Sequence, residues 1–395
     1  MDLAAIQHTL REASLDAWLF YDHHHRDPLA YAILSLSPKA HITRRWFYLI
    51  PAHGDPQKLV HRIESTRLDS LPGSRDEYSS WQELETHLAA MLTGYTRVAM
   101  QYSANNAIPS ISIVDAGTID LLRSLGKEIV SSADLVAQFE AVLTADQIAT
   151  HYAAQKKIDR ILTEAWKEIS QRTRTGATDE FTIVQWIAEA FRRENLIWEH
   201  GPNVSCGPNS ADSHYEPTAT NSRPIRTGDF LLIDLWAKLP TPHAVYYDIT
   251  WTSTVGRPPT DREQSIFRTV AAARDAAVTA IQAAFTAARA IAGYEADDAA
   301  RNVIHTAGLA EAFTHRTGHN IATELHGAGA HLDNLETHDT RRILPYTCFS
   351  VEPGLYFPGE FGLRSEINMI TSPTQAHVTG RIQTHLTSAD MMFPE

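Results

Sequence analysis

FLLIDLWAKLPTPHAVYYDITWTSTV, residues 230–255, and CFSVEPGLYFPGEFGLRSEINMI, residues 348–370, decide how the rest of the chain is organised. Each reads as a β-hairpin with a carboxylate on either arm. Asp234 and Asp248 both stand seven residues from Thr241 in the turn Pro240-Thr241-Pro242, and Glu352 and Glu366 both stand seven from Gly359 in the turn Pro358-Gly359. If each turn closes symmetrically, the acids of a pair face each other with Cβ atoms about 4.5–5.5 Å apart. Like charges so placed repel, and burial strengthens the repulsion. Acid pairs on hairpins are usually solvated, but Leu231-Leu232-Ile233 before Asp234, and Phe349 and Val351 beside Glu352, are residues of buried strands. Two buried pairs point to a shared cation. Four carboxylates and a histidine suit two divalent metals about 3.5–4 Å apart, the arrangement that activates water for hydrolysis.

Outward from these stretches, 395 residues leave room for two domains and a sizeable core. The net charge of −13 argues against a nucleic-acid partner or an anionic membrane surface. Cys206 and Cys348, the two cysteines, have no paired spacing, which excludes a disulfide framework or a thiolate zinc site and fits a reducing compartment. The opening MDLAAIQHTLREASLDAWLF is interrupted by Asp2, Arg11, Glu12 and Asp16, so it does not read as a signal peptide, and no apolar run reaches the length of a membrane span. The expected location is cytoplasmic.

Residues 1–135 read as an α/β domain. A helix carrying Leu3, Ile6 and Leu10 leads into strands at 17–21, 46–50, 98–100 and 128–130, with helices at 81–93 and 115–125 between them. His23-His24-His25 reads as a polar loop, because three consecutive side chains cannot face one point. Residues 136–395 form the second domain. Thr144 and Gln147 match a capping box opening a helix over 145–171, and Thr178-Asp179 opens another. A helix over 260–291 and an opening at Ala296-Asp297-Asp298 repeat that layout, and each helix pair precedes one acid hairpin. A helix–helix–hairpin duplication folded about a pseudo-twofold would bring the hairpins together.

Between the hairpins lies TGHNIATELHG, residues 317–327, in which His319 and His326 stand seven apart beside glycines that admit close backbone approach. SCGPNSADSHY, residues 205–215, is a Gly- and Pro-punctuated loop ending near His214. Taken in order, these residues resemble the pita-bread metallopeptidase family of methionine aminopeptidase, prolidase, aminopeptidase P and the metal-free creatinase. The match is to the Xaa-Pro branch over most of 140–395, and more faintly over 1–135. TGHNIATELHG, SVEPGLY and LRSEI look like the family's own motifs.

The resemblance implies an α+β chain: an N-terminal α/β domain of the creatinase type, then a pita-bread domain with a pseudo-twofold repeat around a curved antiparallel sheet. It implies the ligand set Asp234, Asp248, His319, Glu352 and Glu366, with Asp248 and Glu366 bridging two metals, Asp234 on one, and His319 and Glu352 on the other. Manganese is the expected metal, because hard oxygen donors are in the majority, with cobalt or zinc as substitutes. His214 and His326 fall at the substrate-side histidines, and Arg364 at an arginine supporting the bridging carboxylate. The implied reaction is attack of a metal-bridging hydroxide on the bond before proline, with Glu352 shuttling the proton. The implied partners are proline-containing dipeptides or short peptides and a second copy of the chain.

Departures concern the pocket. The family usually has a Gly-Ala pair where Trp236-Ala237 stands, a tyrosine where Val245 stands, and Asp-Ile-Thr-Arg-Thr where Asp248-Ile249-Thr250-Trp251-Thr252 stands; the spacing between the aspartates is also longer. A dipeptidase must hold the free carboxylate of proline, for which Arg341 and Arg342 are the candidates. An aminopeptidase P would instead need an open groove beyond proline. The compact length favours the dipeptidase. The alternatives are a metallohydrolase of another small amide, with the pocket reshaped by Trp236 and Trp251, and a non-catalytic peptide-binding module.

Overall fold

The computed structural model describes residues 1–39, 41–176 and 178–392. The chain divides into two compact units, Met1–Glu140 and Ala141–Glu395. The boundary expected at 135/136 precedes the last turns of helix in the first unit.

In the first unit α1 (Leu3–Glu12) leads into β1 (Ala17–Asp22), α2 (Pro28–Ile33), β2 (Trp46–Pro51), β3 (Gln57–His61), β4 (Ser74–Tyr78), α3 (Trp81–Met91), β5 (Arg97–Met100), α4 (Ala116–Ser124), β6 (Glu128–Ser131) and α5 (Ala133–Val136). The strands form one mixed sheet in the order β4-β3-β2-β1-β5-β6. Alternate residues Ala17, Leu19 and Tyr21 of β1 pack with Leu84 and Leu88 of α3 and Leu122 of α4. Strands β3 and β4 have no counterpart in the reading of the sequence. Ser74-Arg75-Asp76-Glu77 lies on an edge, where strands carry charge rather than an apolar stripe. His23 to His25 form a polar turn. The Asp22 carboxylate accepts the backbone N–H groups of His25, Arg26 and Asp27 and the Tyr31 hydroxyl, at 2.7–3.2 Å.

The second unit is built twice. Thr144 caps α6 (Ala145–Thr175) in a capping box with Gln147, each side chain accepting the other's backbone N–H. There follow β7 (Thr178–Asp179), α7 (Glu180–Arg193), β8 (Asn203–Cys206), β9 (Pro224–Ile225), β10 (Phe230–Ala237) and β11 (Tyr247–Thr254). Thr260 and Glu263 form a second capping box at the start of α8 (Asp261–Thr286), which is followed by α9 (Gly293–Thr306), β12 (Asn320–Ile321), β13 (Cys348–Val351), β14 (Gly354–Phe357), β15 (Phe361–Arg364), β16 (Ile367–Thr371) and β17 (Ala376–Thr379). Helix α8 ends five residues before the expected 291. Helix α9 begins at Gly293, where a Cβ would lie 1.8 Å from the His331 carbonyl oxygen, so only glycine permits that contact.

The halves match in layout. Sheet β11-β10-β8 lies against α6 and α7, and sheet β12-β13-β16-β17 lies against α8 and α9, each with its own apolar core. Strands β11 and β16 meet where Glu366 N–H donates to the Thr250 carbonyl (3.1 Å) and Asp248 N–H donates to Asn368 Oδ1 (2.9 Å). The acid-bearing strands are therefore adjacent. No helix among the described residues is long and apolar enough to cross a membrane.

Candidate active site

In β10 and β11 the register pairs Asp234 with Thr250 and Trp236 with Asp248, so the two aspartates are diagonal neighbours rather than opposite. The symmetric closure expected about Thr241 fails because residues 238–246 form a loop, not a tight turn. A shift of two residues keeps both acids on the same face. The second hairpin closes about Gly359, with Val351 opposite Ile367 and Gly354 opposite Arg364. Glu352 and Glu366 fall in the break between these ladders, facing each other in the continued register.

The structure brings Asp248, His319 and Glu366 together: one donor atom from each lies within 4.8 Å of the others, and all three residues are buried. Glu352 borders this set, with Oε1 3.3 Å from His319 Nε2, and Asp248 Oδ2 lies 3.6 Å from the same nitrogen. Asp234, also buried, pairs with Arg364.

Each of these side chains is oriented by a neighbour. Ser350 Oγ accepts the His319 N–H and donates to Glu352 Oε1, both at 2.9 Å. His319 Nδ1 faces the Asn320 carbonyl at 3.3 Å; a carbonyl only accepts, so Nδ1 carries the proton and Nε2 presents a lone pair to the acids. Gly318 lets this segment approach β13, since a Cβ there would lie 2.0 Å from the Ser350 carbonyl oxygen. Arg364 Nε donates to Thr250 Oγ1 (3.1 Å), which donates to Glu366 Oε2 (2.7 Å). Arg364 thus reaches the expected bridging carboxylate through Thr250, while its own ion pairs are with Asp234 and, at 3.7 Å, with Glu352 Oε2.

A divalent cation fits these residues. Asp234 Oδ1, Asp248 Oδ1 and Glu366 Oε1 are buried without a hydrogen-bond partner among the described residues, an arrangement costly for any carboxylate. Burial, only partly offset by Arg364, pushes the Asp234 carboxyl up to about 7. Burial and the Glu352 charge push Asp248 up to about 8. Burial and the charges of Asp248 and Glu352 hold Glu366 well above the usual carboxylate range. Glu352 differs: burial raises its pKa, but His319 and Arg364 outweigh that and hold it below its ordinary value. Burial keeps His319 neutral by lowering its pKa, which suits a ligand.

Asp234, Asp248, Glu352 and His319 line a cleft of about 650 Å³ with His214, His326, Trp236, Tyr246 and Arg316. The His326 ring stands edge-on to His319 at 4.3 Å, and the cost of placing a second cation beside His319, together with burial, lowers its pKa to about 3. The His214 loop hangs on Glu180 at the start of α7, whose carboxylate accepts from Cys206 N–H, Asn209 Nδ2, the Tyr215 hydroxyl and Arg223 N–H.

Three expected pocket residues lie elsewhere. Arg341 is buried in an ion pair with Asp339 (2.6 Å) and donates to the Ala328 carbonyl; Arg342 is exposed, and neither lines the cleft. Trp251 faces the α6–α7 core, because strand alternation puts Asp248 and Thr250 on the cleft side and Ile249 and Trp251 on the other. Thr250, Ser350, Glu180 and Arg316 were missed in the sequence. Of these, Arg316 alone carried a usable signal, three residues before His319.

The fold and the buried carboxylate centre define a class. Residues 153–373, more than half of the chain, match the model of metallopeptidase family M24, and the chain belongs to that family. It is a metallopeptidase with the pita-bread fold. It is 28% identical over 323 residues to the protein named "Probable dipeptidase PepE" of Mycobacterium tuberculosis, covering 80% of this chain and 78% of that one. It is 31% identical over 163 residues to the Xaa-Pro dipeptidase of Lactobacillus delbrueckii subsp. lactis, covering 41% and 40%. The crystal structure of dipeptidase PepE from Mycobacterium ulcerans superposes with a TM-score of 0.69 at 23% identity, covering 98% of this chain and 96% of that one, and so shares its fold.

Proposed function

We propose that this chain is a dinuclear Xaa-Pro peptidase that cleaves the bond before proline and favours dipeptides. The observation that carries the proposal is the buried set of Asp234, Asp248, Glu366 and His319 bordered by the half-buried Glu352, with three carboxylate oxygens left without a hydrogen-bond partner. The similarity to an Xaa-Pro dipeptidase supports the substrate class. Asp234, Asp248, His319, Glu352 and Glu366 would hold two cations, and the oxygen-rich donor set favours manganese over cobalt or zinc. When bound, such a pair lowers the pKa of water and polarises a carbonyl.

The chain's own groups account for the remainder. Glu352, held ionised, accepts the proton released by water and passes it to the departing prolyl nitrogen. His326 is neutral and keeps one N–H for the oxygen that gains charge, with His214 across the cleft as a second donor. Arg364 and Thr250 fix Asp234 and Glu366. We extend the proposal to a homodimer in the cytoplasm, a location that suits two buried free thiols.

A second reading, hydrolysis of another small amide, is favoured by Trp236, which lines the cleft where the family resemblance implies a small residue. The test is hydrolysis of Ala-Pro beside Ala-Pro-Ala, with manganese and with chelator. Cleavage of Ala-Pro, abolished by chelation, is expected. Cleavage of the tripeptide alone would make the chain an aminopeptidase, and no cleavage of either with two metals bound would favour the second reading.

A further inference from the structure

Trp236 stands beside both aspartates on the cleft face of the first hairpin. It is two residues beyond Asp234 on β10 and directly opposite Asp248 on β11, so all three side chains leave the sheet on one side, and opposed Cβ atoms lie about 4.5–5.5 Å apart. The indole is held from two directions. Its six-membered ring lies against the backbone of Gly201, where a Cβ would come 2.5 Å from Cη2 and nearer still to Cζ2. It also packs against the buried apolar cluster that includes Val245, Tyr246 and Ile321. A ring held on two sides resists displacement, and it fixes the depth of the cleft next to Asp234 and Asp248.

We propose that Trp236 limits the size of the residue accepted on the amino-terminal side of the scissile bond, so that the cleft takes Gly-Pro and Ala-Pro and turns away dipeptides that begin with a large side chain. The inference rests on the Xaa-Pro reading and deepens it by naming the preferred substrates. The carbonyl under attack belongs to that first residue, so its side chain is carried one atom away from the carbon held at the acids. The charges around the indole decide which end of a dipeptide lies along it. Glu199 and Glu324 line the cleft, and after burial their charges add to the rise of the Tyr246 phenol to about 12. Lys238, two residues beyond Trp236, is committed: it donates to the Thr323 carbonyl and stands 4.5 Å over the Tyr246 ring. Such surroundings favour the α-ammonium of a dipeptide over its carboxylate, which lays the first residue, rather than the proline, against the indole. A methyl side chain clears a wall that does not retreat. A leucine or phenylalanine side chain must push the ring into the Gly201 backbone, and overpacking of that kind is unfavourable.

The test measures kcat/KM of the manganese-loaded protein for Ala-Pro, Leu-Pro and Phe-Pro in the wild type, in Trp236→Phe and in Trp236→Ala, with the metal content of each determined alongside. The wild type is expected to favour Ala-Pro over Phe-Pro at least about tenfold. Trp236→Ala should shrink that ratio by about 10–200-fold, the range over which a pocket discriminates by size, with metal content unchanged. Trp236→Phe should fall between the two. A wild type that cleaves Ala-Pro and Phe-Pro equally well, or variants that lose the same factor on all three dipeptides, would overturn the assignment and leave the Xaa-Pro reading standing. If the wild type hydrolyses none of the three, they serve as stable ligands for calorimetric titration of the metal-loaded protein. Tighter binding of Ala-Pro than of Phe-Pro, lost in Trp236→Ala, would then uphold the wall and remove the Xaa-Pro reading, whereas equal binding would remove both.

Discussion

The two acid hairpins carry the same charges but place them by different means. Strands β10 and β11 form one unbroken ladder of eight pairs, and Asp234 and Asp248 sit on it diagonally. In the other half the ladder stops at Val351–Ile367 and resumes at Gly354–Arg364, leaving Glu352 and Glu366 in the gap. Inside an antiparallel ladder alternate residues bond the facing strand, and the N–H of Asp248, which turns away from β10, donates to Asn368 Oδ1. In the gap the backbone is free, and Glu366 N–H bonds Thr250 while Glu352 N–H bonds the Thr317 carbonyl at 2.7 Å. The first half thus presents both acids from one continuous ladder, and the interrupted half ties that ladder to the His319 segment through the backbone of Glu366 and Glu352.

The strongest way to break this comparison is Glu366→Gln. It removes the charge at the junction of the halves but keeps the shape, so the backbone bond to Thr250 should survive. Hydrolysis is expected to fall at least about a thousandfold, because the charges that hold and polarise the centre act in a dry site. Metal analysis should find fewer than two cations per chain while circular dichroism stays unchanged. Full activity with two metals bound would exclude Glu366 as a bridge. Thr250→Val is milder. It removes the hydroxyl that relays Arg364 to Glu366, and a loss of about 10–100-fold in metal affinity or rate is expected. A loss below twofold would mean that Glu366 needs no such relay.

A third effect is on stability. Without cations, Asp234 and Asp248 keep their protons up to about 7 and about 8, and Glu366 is raised as well, whereas the unfolded chain releases them near the usual carboxylate value. The folded state therefore binds more protons across that interval, and stability falls as pH rises through it. The metal-free protein is expected to melt at a lower temperature at pH 8 than at pH 5.5, and manganese should raise the melting temperature more at the higher pH. A metal-free protein that gains stability over this range would show that the carboxylates are already paired.

The same contrast explains what could be read from the residues alone. The apolar residues beside Asp234 and Glu352, the two helix–helix–hairpin units and the cap at Thr144 are local patterns, and each appears in the structure, with the helix ends of the second unit displaced by three to five residues. The register of the first hairpin was not legible, because Pro240-Thr241-Pro242 belongs to a nine-residue loop whose path no dipeptide preference sets. Arg341 and Arg316 show a second limit. Both are arginines on the His319–His326 side of the second acid hairpin, and what separates them is the Asp339 carboxylate two residues before Arg341, which draws that guanidinium inward. Side-chain direction depends on such neighbours, and neither spacing nor composition reports it.

The smallest expected effect concerns the loops that set the two registers. Gly359 has φ of +80° and nothing within 4 Å of where a Cβ would stand, so Gly359→Ala meets no clash and costs only the left-handed backbone, about 1–2 kcal/mol. That should lower the melting temperature by about 2–8 °C at the usual 2–4 °C per kcal/mol. In the first loop the left-handed position is His243, at φ +60°. His243→Gly relieves similar strain but loosens the unfolded chain by about 0.4–1 kcal/mol, so the net change should be small. If the two substitutions shift stability equally, the tight turn has no special hold on its register. If only Gly359→Ala does, the half that carries the gap is also the half whose turn must be held.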